Sequence, residues 1–236
     1  MGLRRMNKAS HLTTLPRLYP ILDADALARA GVPLATAAHA LYDAGVRWVQ
    51  YRDKRASDAA VVERMRELRA IFPAGEAVLL LNDRVHLCAP VGADGVHIGQ
   101  DDVAPAEARR VLNASRGDAS GGDASGGPKR LLGVSTHNVA QLRAALATGA
   151  ADYLAIGPVY ATGSKENPDP VVGLDGVKAA RTLTRLPLVA IGGITAENGR
   201  EVIEAGADAV AVISGLLPQG GQEMSERVRD FLAFLR

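Results

Sequence analysis

The chain alternates between short, almost unbroken apolar runs and longer stretches in which apolar positions recur every three or four residues. Eight runs read as strands: RLYPILD (17–23), VRWVQYR (46–52), AVLLLN (77–82), GVHIG (95–99), LLGVS (131–135), DYLAIG (152–157), LVAIGG (188–193) and AVAVIS (209–214). A strand apolar on both faces is buried on both faces, which suits a parallel sheet covered by helices. The helical patterns between the runs supply the crossovers that parallel strands need. Several helices also announce the next strand with a related phrase: DAGVRWVQ, VGADGVHIG, ATGAADYLAIG and EAGADAVAVIS. The glycine suits a left-handed helix C-cap followed by a short connection. This repetition predicts a single (β/α)8 TIM barrel. An open doubly wound sheet fits less well, because no G-x-G-x-x-G follows the first strand and eight equivalent units favour closure.

The length of 236 residues is close to the roughly 250 typical of such a barrel, so one domain is expected. Residues 1–16 read as a polar tail, with positive charge but no apolar segment to make a signal peptide. Residues 17–236 form the barrel. Within it, 113–130, containing the near-repeat GDASGG, reads as a flexible insertion between the fourth helix and the fifth strand, away from the catalytic end. A formal net charge of +1 and the lack of clustered Lys and Arg give no support for nucleic-acid binding. No stretch approaches transmembrane length. The single cysteine, Cys88, lies in an apolar, helical-looking stretch and reads as a packed thiol. These features predict a cytoplasmic protein, compatible with homo-oligomers, whose partners are small molecules.

In this fold the polar residues at the C-terminal ends of the strands share one site. The second strand ends in Gln50, Arg52 and Lys54, whose i, i+2, i+4 spacing places them on one side of an extended chain; a solvated strand end reads equally well. The third ends in Asn82, Asp83 and Arg84, and the fourth leads to Gln100, Asp101 and Asp102. Helix capping would account for each acidic residue separately, but carboxylates converging from neighbouring strands suit Mg2+. The fifth ends in Ser135, Thr136 and His137; Ser135 reads as an anion donor, and His137 as structural more readily than as acid or base. The long loop after the sixth strand carries Thr162, Ser164 and Lys165, which suit a phosphate. Gly192 and Gly193, then Ser214 and Gly215, end the last two strands, where such barrels bind phosphate through backbone N–H groups.

Taken in order, QYRDK, LLLNDR, GVHIGQDD, LGVSTHN, AIGPVYATGSK, VAIGGIT and VAVISGLL, spread over residues 17–217, closely resemble the thiamine phosphate synthase family. The resemblance implies a transferase joining 4-amino-5-hydroxymethyl-2-methylpyrimidine diphosphate to 4-methyl-5-(2-phosphoethyl)thiazole, with release of diphosphate and formation of thiamine phosphate. It implies Mg2+ on Asp83 and Asp102, the diphosphate on Arg52, Lys54, Asn82, Ser135 and Lys165, and a pyrimidine contact at Gln50. The thiazole phosphate would then lie near Thr162, Ser164, Gly193, Ile213 and Ser214. Ser164 stands where the family usually carries Thr, which keeps the hydroxyl. A thiazole tautomerase and a non-catalytic thiazole-phosphate-binding regulator on the same barrel are the rival expectations; neither needs a grip for metal and diphosphate together.

Overall fold

The structure, a computed structural model, describes residues 15–114, 129–163 and 169–235. Eight parallel strands close in sequence order into a barrel: β1 Leu18–Asp23, β2 Trp48–Arg52, β3 Val78–Asn82, β4 Gly95–Ile98, β5 Leu131–Thr136, β6 Tyr153–Ile156, β7 Leu188–Ile191 and β8 Ala209–Val212. Closure is made by β1 against β8, with Leu18 beside Val210. Every predicted strand is present; several predicted ends run one or two residues too far, because the flanking residues belong to the αβ and βα turns, whereas β5 continues one residue past its predicted end, to Thr136.

The helices are α1 Ala24–Arg29 and α2 Leu34–Asp43 between β1 and β2, then α3 Asp58–Ile71, α4 Pro105–Ala114, α5 Val139–Ala147, α6 Gly173–Leu183, α7 Ala196–Glu204 and α8 Met224–Phe234. The repeat is imperfect after β3, where a single 3-10 turn, Val85–Leu87, replaces the expected helix. Cys88 therefore follows a 3-10 turn and not a long helix; its buried thiol approaches the Ala93 carbonyl, and burial pushes it up to about 12. Of the insertion, Asn113 and Ala114 end α4 while Lys129 and Arg130 lead into β5. Residues 115–128 and 1–14 lie outside the described residues.

Strand alternation sorts the core into two layers. One set of side chains, including Leu22, Val49, Leu79, Leu81, Leu154 and Val210, packs against the helices. The other fills the barrel: Tyr19 and Ile21 from β1, Trp48 from β2, Val78 and Leu80 from β3, Tyr153 and Ala155 from β6, and small residues from β8. Three aromatic rings in one interior are accommodated by glycine opposite. A Cβ on Gly133 would lie 2.1 Å from Tyr153 Cζ and 2.4 Å from His97 Nδ1.

The recurring phrase before the strands is also explained at this end. Asp94 donates its N–H to the Leu79 carbonyl at 2.9 Å and accepts the Leu79 N–H at 2.7 Å on its carboxylate. Asp152 grips Leu132 in the same way, and Asp208 grips Leu188. Each carboxylate is paired with an arginine from the helix before the gripped strand: Arg69, Arg109 and Arg181 respectively. In three of its four occurrences the phrase thus marks a clamp joining helix, strand and next strand at the bottom of the barrel, leaving the top rim to carry the site.

Candidate functional site

The C-terminal ends of the strands open into a cavity of about 650 Å3, lined by residues from all eight βα connections. On one side stand Gln50, Arg52 and Lys54 of β2 and its loop, Asn82 and Asp83 of β3, Asp101 and Asp102 after β4, and Ser135 of β5. The strand ends thus bring together most of the residues singled out there from the sequence; Arg84 is not among the lining residues and pairs instead with Asp58, and Thr136 is buried with its hydroxyl donating to the Ala155 carbonyl.

Arg52 is held by Asp23, the last residue of β1, in a short ion pair. Asp23 is buried and also accepts the Ala26 N–H at 2.8 Å, capping α1. One carboxylate therefore fixes both a helix start and the guanidinium, which arrives in the cavity preoriented. Asp23 was not singled out in the sequence, where it is the last residue of an apolar strand run; its register partner on the adjacent strand, Arg52, gives it its role at the site.

Asp83 has φ 61°, and is the one non-glycine residue with a positive φ among those described. Asp tolerates this left-handed conformation better than most residues, and such outliers concentrate at functional sites. Here the Asp83 N–H is held by the His97 carbonyl at 2.8 Å, and its carboxylate faces Lys54 Nζ at 3.2 Å. The following 3-10 turn has no side-chain cap, so capping does not account for this residue. Burial, followed by the neighbouring Asp102 carboxyl, pushes Asp83 up to about 6, against the opposing pull of Lys54. Asp102 accepts the Gly99 N–H at 2.7 Å, an arrangement that folds the β4 loop back toward Asp83. Two carboxyl groups brought this close repel unless a proton or cation lies between them, so the pair fits Mg2+. Among the described residues no group of three or more His, Cys, Asp or Glu could hold a metal. Two carboxylates suffice for an ion that keeps its waters and takes substrate phosphate oxygens as further ligands.

The opposite side of the cavity is built from backbone. Gly192 (φ 102°) and Gly193 (φ 64°) follow β7, and a Cβ on Gly193 would come within 2.6 Å of the Ala161 carbonyl oxygen. Val159 and Tyr160 donate to the Ile191 and Gly192 carbonyls at 2.9 and 3.0 Å. The loops after β6 and β7 are laced so tightly that only glycine fits, and Thr162 is carried to the same wall as Gly193, Ile213 and Ser214. Ser164 and Lys165 lie outside the described residues.

His137 lines the cavity but its ring is occupied: Nδ1 is 2.7 Å from the Gly157 carbonyl and Nε2 is 3.4 Å from Asp169. This arrangement anchors the β6 loop, in keeping with a structural role. Beneath the cavity floor, Gln50 and Ser135 are joined to Tyr19, Tyr153 and His97. None of these last three was singled out in the sequence, where each lies inside an apolar strand run. No helix among the described residues is long and apolar enough to cross a membrane.

Against known proteins, the sequence model of the family described as thiamine monophosphate synthase matches residues 18–216. A thiamine-phosphate synthase of Koribacter versatilis is 49% identical over 215 residues, covering 90% of this chain and 94% of the relative. One of Chloroflexus aurantiacus is 40% identical over 201 residues, 85% of each chain. Among solved structures, a thiamine phosphate pyrophosphorylase from Pyrococcus furiosus superposes with a TM-score of 0.75 at 27% identity, covering 97% of this chain and 96% of that one.

Proposed function

The chain belongs to the thiamine monophosphate synthase family, and from that premise we propose that it joins a pyrimidinylmethyl diphosphate to a thiazole phosphate in a Mg2+-dependent transfer that releases diphosphate. The observation that carries this reading is the meeting of Arg52, Lys54, Asp83 and Asp102 on one wall of the cavity, opposite the glycine-built wall of the β6, β7 and β8 loops.

The reaction needs little covalent help from the protein. The bond from the pyrimidine methylene carbon to the diphosphate oxygen breaks, the diphosphate leaves with the electron pair, and the thiazole ring nitrogen supplies the pair for the new C–N bond. What must be stabilised is negative charge on the leaving group, and preorganised cations and hydrogen-bond donors do this at low reorganisation cost. Arg52, held by Asp23, contributes a fixed guanidinium. Lys54 can turn from Asp83 toward the diphosphate, and Asn82 and Ser135 add neutral donors. Bound between Asp83 and Asp102, Mg2+ would neutralise further charge on the leaving group. Lys165 completes the cationic set by resemblance. Gln50 is the pyrimidine contact, and the thiazole phosphate is assigned to Thr162, Ser164, Gly193, Ile213 and Ser214, where close backbone and hydroxyls suit an anion.

Diphosphate release by the purified protein, with both substrates and with or without Mg2+, tests the proposal. Release is expected only with Mg2+, and Arg52→Ala is expected to lower kcat by about 10²- to 10³-fold, the usual loss when one preorganised donor is removed. Release that persists in excess EDTA, or a folded protein that binds thiazole phosphate and forms no product, would overturn it.

A further inference from the structure

A row of side chains crosses the barrel interior immediately under the cavity. Gln50 Nε2 lies 2.7 Å from the Tyr19 hydroxyl, which lies 2.9 Å from the Tyr153 hydroxyl. The Tyr153 hydroxyl lies 3.0 Å from His97 Nδ1, and His97 Nε2 lies 2.8 Å from Ser135 Oγ. Gln50, Tyr19, Tyr153 and His97 are all buried. Both ends of the row, Gln50 and Ser135, line the cavity, as does His97.

Each linking group has one proton to give. Burial holds both phenols neutral by raising them well above the usual tyrosine range, and a neutral imidazole donates from one nitrogen while accepting at the other. The directions of the hydrogen bonds are therefore not independent. If Gln50 donates to Tyr19, then Tyr19 donates to Tyr153, Tyr153 donates to His97 Nδ1, and His97 donates from Nε2 to Ser135. Ser135, already accepting, must then give its own proton elsewhere. The reverse order needs the Gln50 amide turned over so that its oxygen accepts from Tyr19, and it turns the Ser135 proton inward onto His97.

The surroundings favour the first direction. The nitrogen of the Gln50 amide, Nε2, is the atom that lies against the Tyr19 oxygen, at 2.7 Å. An amide nitrogen can only donate. With that donor on it, the Tyr19 oxygen spends its own proton on Tyr153. The row's place in the barrel is enforced by packing, because the missing side chain of Gly133 leaves the space in which Tyr153 and His97 meet.

We propose that Tyr19, Tyr153 and His97 form a directional hydrogen-bond relay that fixes His97 as its Nε2–H tautomer and thereby commits the Ser135 hydroxyl to donate into the cavity, toward an anionic ligand, while the Gln50 side-chain oxygen is left to accept from a ligand N–H. Tyr19 and Tyr153 are positioning residues, since they lie behind the cavity and act on the site through Gln50, His97 and Ser135; His97 borders the cavity and acts in the relay by holding Ser135. The ligand class selected is one with an acceptor, such as a diphosphate oxygen, at the Ser135 end and an N–H donor at the Gln50 end. This deepens the proposed function and rests on it only for the identity of the anion.

The test begins with the ligand-free protein, so that it stands apart from turnover. Long-range 15N–1H correlation spectra of histidine-labelled protein, with the His97 signals assigned by their loss in His97→Asn, report the tautomer directly. The relay requires Nε2–H in the wild type, the same tautomer in Ser135→Ala, and a mixture of tautomers in Tyr153→Phe. An Nδ1–H ring in the wild type, or a ring that changes with Ser135→Ala and not with Tyr153→Phe, overturns it. Binding of inorganic diphosphate in the presence of Mg2+, measured by calorimetry, gives the second arm. Tyr153→Phe is expected to weaken binding three- to tenfold, with most of that loss absent in the Ser135→Ala background; fully additive losses overturn the relay. A correct tautomer pattern in a protein without transferase activity would sink the proposed function and leave the relay standing.

Discussion

Asp83 combines three departures from what a surface aspartate ordinarily does: a left-handed backbone, a partly buried carboxyl and an acidic neighbour in Asp102. The sign of the pH effect follows from the direction of the shift. A carboxyl whose folded value is raised to about 6 favours the folded state when protonated; that contribution is fully present below its unfolded value near 4 and is lost as pH rises through 6. At pH 8 without Mg2+ the ionised group is therefore a net cost. Asp83→Asn keeps the shape and the tolerance for positive φ while removing the charge. It is expected to stabilise the metal-free protein by about 1–2 kcal/mol at pH 8, a figure reduced from the full shift because the carboxyl is partly solvated. Urea denaturation at pH 8 and at pH 4 checks this: the gain should vanish at pH 4, and a variant less stable than wild type at pH 8 would refute the account. Loss of Mg2+-dependent turnover in the same variant is the functional counterpart, a stability gained by removing a strained functional group.

At the scale of elements, alternation made the strands legible, and it also placed Gln50, Arg52 and Asn82 at strand ends where a barrel gathers its site. The repeated Gly-Ala-Asp phrase was legible as a helix stop; that its aspartates are clamps was not, because the Leu79, Leu132 and Leu188 backbone they grip belongs to another strand. Register decides such pairings, and register is a property of two strands at once. The missing helix after β3 has a related cause: RVHLCAPVGAD is too short to cross back as a helix, and the Cys88 N–H and thiol instead tie a compact turn together. Gly133 shows packing overriding the appearance of a strand, since LLGVST would read better with a branched residue in its middle. Gly133→Ala puts a carbon into the contact between Tyr153 and His97. Overpacking of this kind costs about 1–3 kcal/mol, and the backbone and two rings involved have little room to yield. A denaturation midpoint equal to that of wild type would show that the interior is looser than these distances imply.

For the whole molecule, the carboxylate pair and the cationic wall have opposite needs in the empty cavity. Asp83 and Asp102 repel one another, and Lys54 is drawn onto Asp83. Mg2+ and diphosphate together would satisfy both sets, whereas either one alone leaves one set uncompensated. The protein is therefore expected to melt several degrees higher with Mg2+ and inorganic diphosphate combined than the sum of the two separate shifts, through preferential binding to the folded state. Thermal scans with each alone and with both decide it; strictly additive shifts would argue against a shared site. By itself the sequence determined the parallel barrel and the family, and pointed to the rim that carries the cavity, because strand periodicity, helix stops and ordered motifs are written in neighbouring residues. Only the tertiary structure decided that Asp23 holds Arg52, that Asp83 meets Asp102, and that Tyr19 meets Tyr153 from 134 residues away. Those contacts join residues of different strands and their loops, and closure, register and the space left by a glycine bring them together.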